Sequence, residues 1–147
     1  MSSFQNKQIV SSNCNELLVN SDGSINVVQS ATGGILPIHK PGEFTNIDSS
    51  GFTVINTYPL VSPNDFYLKQ IIVSLIGIAA HFRVQINDGS VTTVFREYHL
   101  NTQEPSFVDV LEYERKVTYA AGASIFVDAK ILAIGHSGRA VAHIIGR

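Results

Sequence analysis

Hydrophobic and polar residues alternate without a fault from Ala80 to Asn87. Ala80, Phe82, Val84 and Ile86 fall on one side, and His81, Arg83, Gln85 and Asn87 on the other. Side chains of a strand point alternately to opposite faces, so this stretch predicts a strand with one buried and one wet face. Asn87-Asp88-Gly89-Ser90 supplies residues that tolerate positive φ, and Val91 to Tyr98 is β-branched and aromatic enough to return as the partner strand. A central hairpin is expected here.

Around it the same texture recurs. Phe52 to Pro59 predicts a strand ended by its proline, and Ser62-Pro63-Asn64-Asp65 a turn. Phe66 to Gly77 is apolar on both faces, with Leu68 and Ile72 on one and Ile71, Val73 and Leu75 on the other. That pattern suits a strand covered on both sides, or one at a subunit contact. Phe107 to Leu111 predicts a short strand, followed by a charged connection from Glu112 to Lys116. In Ser124 to Ile134 the residues Ile125, Val127, Ala129 and Ile131 alternate against Ser124, Asp128 and Lys130, with Phe126 breaking the pattern and hinting at a second covered surface, and Arg139 to Ile145 is the last strand. Strands spaced at about 8–12 residues with turn signals between them mark a sandwich or jelly roll. No window carries a sustained helical period. The expected fold class is all-β: an antiparallel, jelly-roll-like β-sandwich with an extended N-terminal arm.

The arm is the part least able to stand alone. Met1 to Ser12 has no clear period and reads as a frayed or partner-ordered terminus. Two short apolar runs within Leu17 to Val28 flank Asp22-Gly23 and predict a small hairpin, which needs a surface to lie on. Thr32-Gly33-Gly34 reads as a hinge, and Pro37 keeps its neighbours extended. The chain therefore divides, on sequence, into an arm at 1–50 and a sandwich at 51–147. Leu17, Leu18, Val19, Ile25, Val27, Ile35, Leu36 and Ile38 are the arm residues expected to be buried by strand addition to a partner.

Composition narrows the function classes. At 147 residues the chain is one ordinary domain with an appended arm. A net charge of −2, with basic residues scattered, offers no electrostatic case for nucleic acid or an anionic membrane as partner. The longest apolar run, Ile71 to Ala80, is far short of the roughly 20 residues of a spanning helix. The N-terminus lacks the charged and apolar regions of a signal peptide, so a soluble protein made in a cytoplasm is expected. A single cysteine, Cys14, excludes an internal disulfide and a cysteine-based zinc site.

Gly135-His136-Ser137-Gly138 approaches a nucleophile elbow, but its second glycine comes one residue early and no acid follows the serine. His39, His81, His99, His136 and His143 show no i, i+2 spacing of the kind that pairs metal ligands on one strand, although His81 and His99 could meet across the hairpin. Asp109, Glu112 and Glu114 sit beside Arg115 and Lys116 and read as a solvated turn rather than a glycosidase pair. Tyr58, Tyr67, Tyr98, Tyr113 and Tyr119 could stack on sugars, but strand tyrosines more often close the end of a core. No catalytic, cofactor-binding or metal residue is assigned, no cofactor is implied, and the chain is not expected to be an enzyme.

Several stretches together resemble the jelly-roll accessory proteins of tailed-bacteriophage virions, namely capsid decoration (cement) proteins, head fibres and related tail components. They are Leu18-Val19-Asn20-Ser21-Asp22-Gly23-Ser24-Ile25-Asn26-Val27, Tyr67-Leu68-Lys69-Gln70-Ile71, Phe82-Arg83-Val84-Gln85-Ile86-Asn87-Asp88-Gly89 and Tyr119-Ala120-Ala121-Gly122-Ala123-Ser124-Ile125-Phe126-Val127. The resemblance implies a non-enzymatic structural role in the virion, a homo-oligomer (trimer or dimer), and the major capsid protein or another virion protein as partner. A carbohydrate- or receptor-binding module of a fibre or tail is the alternative it leaves open.

Overall fold

The computed structural model describes residues 37–147, together with the backbone strands Ile9–Val10 (β1), Glu16–Val19 (β2) and Ile25–Val28 (β3). Two compact units are separated after Leu36. In the first, β2 pairs antiparallel with β3, Leu17 opposite Val27 and Val19 opposite Ile25, while the predicted Asp22-Gly23 turn lies outside the described residues. β1 adds a third strand on β2, where the sequence pattern had suggested a frayed end.

The second unit holds Ile38–Lys40 (β4), Thr45–Asp48 (β5), Thr53–Pro59 (β6), Phe66–Ile76 (β7), Ala79–Asn87 (β8), Thr92–Asn101 (β9), Ser106–Val117 (β10), Ser124–Ile131 (β11) and Ser137–Gly146 (β12). All its pairings are antiparallel, and four of them are nested: β5 with β12, β6 with β11, β7 with β10 and β8 with β9. Two lateral pairings, β7 with β12 and β8 with β11, roll this long hairpin into two sheets. One runs β10-β7-β12-β5 with β4 also on β12, the other β6-β11-β8-β9. Two packed antiparallel sheets with that nesting make a jelly roll.

The core is built by the alternation seen in the sequence. Ala80, Phe82, Val84 and Ile86 from β8 and Ile125, Val127, Ala129 and Ile131 from β11 meet Phe66, Leu68, Ile71, Val73 and Leu75 from β7 and Ala140, Ala142 and Ile144 from β12. The hairpin between β8 and β9 turns as predicted. Gly89 takes a φ of 101°, and the Asp88 carboxylate accepts from the backbone N–H of Ser90 and Val91. Truncating a buried aromatic such as Phe82 to alanine typically costs about 3–5 kcal/mol.

Three expectations are corrected. The arm–sandwich boundary at 50 is too late, because β4 and β5 belong to the sandwich: both pair with β12, and Ile47 is in the core. Leu68 does not share a face with Ile72. Ile145 lies opposite Gln70 and Gly146 opposite Leu68, so Lys69 is an extra residue in β7. That bulge resets the alternation and points Phe66 and Leu68 inward with Ile71, Val73 and Leu75. Finally, Glu112 to Lys116 is not a connection between elements. β10 runs on for 12 residues, interrupted against β7 between Val110 and Arg115, and resumes pairing at Arg115 opposite Leu68.

Candidate functional site

The two sheets present different outer faces. On the second sheet, the wet positions of the central hairpin form a closed polar network. Arg83 donates from Nε and a terminal nitrogen to the two carboxylate oxygens of buried Asp128, at 2.9 and 2.6 Å, and Gln85 donates to the same carboxylate at 2.7 Å. The hydrogen bonds that Arg83 donates to Asp128 hold its guanidinium above its usual range, against the opposing effect of burial. Phe52 covers that guanidinium at 3.5 Å from its ring centre. His81 and His99 lie directly opposite one another with rings stacked at 4.4 Å, and His81 Nε2 is 2.8 Å from a Glu97 carboxylate oxygen. Donors and acceptors here satisfy each other. The arrangement stiffens a sheet face.

The first sheet's outer face mixes apolar and polar positions in each row. Its rows follow from register: Val108 of β10 beside Ile72 of β7 beside His143 of β12, and next to it Val110, Gln70 and Ile145. Val108 is 51% and Val110 68% exposed, and Ile76 on the same face of β7 is half exposed. β10 is also an edge strand, as is β9 of the other sheet. The two edges adjoin: the Tyr98 hydroxyl donates to Asp109 at 2.6 Å, and the Tyr98 and Phe107 rings lie 5.4 Å apart. Burial, and then the Asp109 carboxylate, push the Tyr98 hydroxyl far above the usual phenol range. An uncovered edge carrying Phe107, Val108, Val110 and Tyr113 is a template for pairing with another chain.

Two further features belong to this first sheet. His39 of β4 reaches diagonally across to His143, with Nε2 3.2 Å from Nδ1. Burial holds His143 below the usual imidazole range, helped by the proximity of His39. At the sheet's far end, Asn46, Asp48, Ser137 and Arg139 rim an open trough of about 690 Å³ floored by Gly77 and Gly138.

Of the arm residues singled out from sequence, Leu17, Leu18 and Val19 lie in β2 and Ile25 and Val27 in β3, while Ile35 and Leu36 fall outside the described residues, as do Cys14 and the 32–34 hinge. Ile38 is corrected. It packs against the sandwich's own core, because β4 is a strand of that sheet. The tyrosines form no shared platform: Tyr58 and Tyr119 pack on the core, Tyr98 is buried, and Tyr113 stands exposed on β10. The carboxylates also part company. Asp109 serves Tyr98, whereas Glu114 takes both donors of Arg147 at 2.7 and 2.9 Å. Ser137 opens β12 after a strand-to-strand turn. Among the described residues, no three His, Cys, Asp or Glu side chains converge as a metal cluster, and no helix is long and apolar enough to cross a membrane.

No family model matches the chain, and no curated protein does. Among solved structures, it is similar to a chain in the glycosylation-associated protein (Gap123) complex from Streptococcus agalactiae, at 13% identity and a TM-score of 0.29. The match takes in 95% of this chain and 25% of that one, and a likeness of this size carries no inference about function.

Proposed function

We propose that this chain is a non-enzymatic structural virion protein that decorates or cements a phage capsid, attaching through its N-terminal arm and self-associating through the β-sandwich. The observation that carries the self-association is the β10 edge, which takes no further strand and exposes Val108 and Val110 side by side on its outer face. A monomer in water gains nothing from leaving Val108 and Val110 exposed together on one face of that edge. A neighbour laid on them recovers roughly 25 cal/mol for each Å² of apolar area removed from water. The virion setting and the capsid partner rest on the sequence resemblance, and the arm supplies short strands suited to strand addition.

The test is the molar mass of the full chain by light scattering after gel filtration, alongside a V108K/V110K variant. An oligomer that falls to a monomer in the variant, with the circular-dichroism spectrum unchanged, is the expected result. A wild-type chain that stays monomeric at every concentration and does not bind purified capsids would overturn the proposal. A monomer that binds glycans would instead favour the carbohydrate module, with the trough at Asn46, Asp48, Ser137 and Arg139 as the place to look.

A further inference from the structure

We propose that His39 and His143 form a bidentate site for a divalent transition-metal ion of the zinc type on the outer face of the first sheet. The geometry is the first support. Two nitrogens bound to one tetrahedral zinc at 2.0–2.1 Å stand about 3.3 Å apart. His39 Nε2 and His143 Nδ1 are 3.2 Å apart, with ring centres separated by 5.3 Å and ring planes inclined at 41°. The facing nitrogens already stand at the separation that two ligands of one ion require.

The chemistry fits as well. The contact as it stands is an imidazole–imidazole hydrogen bond, whose donor depends on the tautomer. Binding an ion frees both facing lone pairs by moving the proton of the donor ring to its far nitrogen. Each ring then stays neutral, with the proton on Nδ1 of His39 and on Nε2 of His143, and no proton is lost from the pair. On its own strand and the next, His143 is flanked by Val141, Ile145 and Ile72, while His39 is exposed, so an ion can reach the pair from solvent. The backbone holds the pair in register, since Ile145 lies opposite His39 and Ile144 opposite Lys40. Two protein ligands leave two tetrahedral positions open, which marks an accessible rather than a closed structural site.

The experiment is calorimetric titration of the full chain with zinc chloride at neutral pH, repeated on H39A, H143A and an H81A/H99A control. The expected result is one equivalent bound per chain, weakened about tenfold or more in either of the first two variants and unchanged in the control. Zinc should also raise the unfolding temperature of the wild type and of the control but not of H39A. Binding that survives in both H39A and H143A, or that vanishes in the control alone, would overturn the site, and so would no detectable binding to a folded wild type. Because H143A removes a half-buried ring, H143Q serves as a second variant if the first fails to fold.

Discussion

At the scale of single residues, the most consequential polar side chain is Asn56. A register shift in β6, with Asn56 opposite Val127 and Val54 opposite Asp128, leaves Ile55 as an extra residue and turns both Ile55 and Asn56 inward. Asn56 then reaches across the sandwich and donates to the backbone carbonyls of Ala142 and Lys40, at 2.9 and 3.0 Å. Ala142 lies between the two pairings of β12, Ile144 opposite Lys40 and Ala140 opposite Thr45, so the amide replaces a missing strand neighbour there. Asn56→Ala should cost about 1–3 kcal/mol in urea unfolding, the desolvation penalty of orphaned buried acceptors. A change within a few tenths would show that the tie is dispensable. Tyr98 sets a limit at the alkaline side. Its folded-state ionisation lies above its unfolded one, so its contribution is fully present below the ordinary phenol value near pH 10 and is lost as pH rises beyond it. Stability measured from pH 8 to 11 should fall more steeply in the wild type than in Y98F. Parallel curves would remove Tyr98 from the alkaline transition.

At the scale of elements, β4, β5 and the glycine between them decide where the sandwich begins. A Cβ on Gly42 would collide with the Ala142 carbonyl oxygen, so only glycine lets the chain pass this close over β12 between its two pairings. The alternation on β8 and β11 made those strands legible in sequence, and their inward residues fall where the period of two puts them; Asp128 of β11 departs from it, buried under its contacts with Arg83 and Gln85. β5 was hidden for a plain reason. Its four residues carry one apolar side chain, Ile47, and a pattern of one has no period. Truncation makes the difference measurable. A chain of residues 37–147 should fold with a cooperative transition, whereas 51–147 strips the strand partner from β12 and the buried Ile47. Equal stability of the two fragments would restore the boundary at 50.

At the scale of the molecule, the first sheet exposes valines on its β10 edge and brings His39 to His143, while on the second sheet Arg83, Gln85 and Asp128 already satisfy one another. Both proposals therefore fall on the first sheet. The histidine pair shows why candidate sites escape a linear reading. His39 and His143 are 104 residues apart and become neighbours only because β4 pairs with the last strand. The sequence by itself determined the fold class, the central hairpin and the inward residues of β8 and β11, because each depends on the local period of side-chain direction and on turn chemistry. Tertiary structure alone decided the nested strand order, the bulges that redirect Leu68 and Asn56, the membership of β4 and β5, and the meeting of the two histidines. All of these are set by pairing between distant segments, which no local pattern encodes.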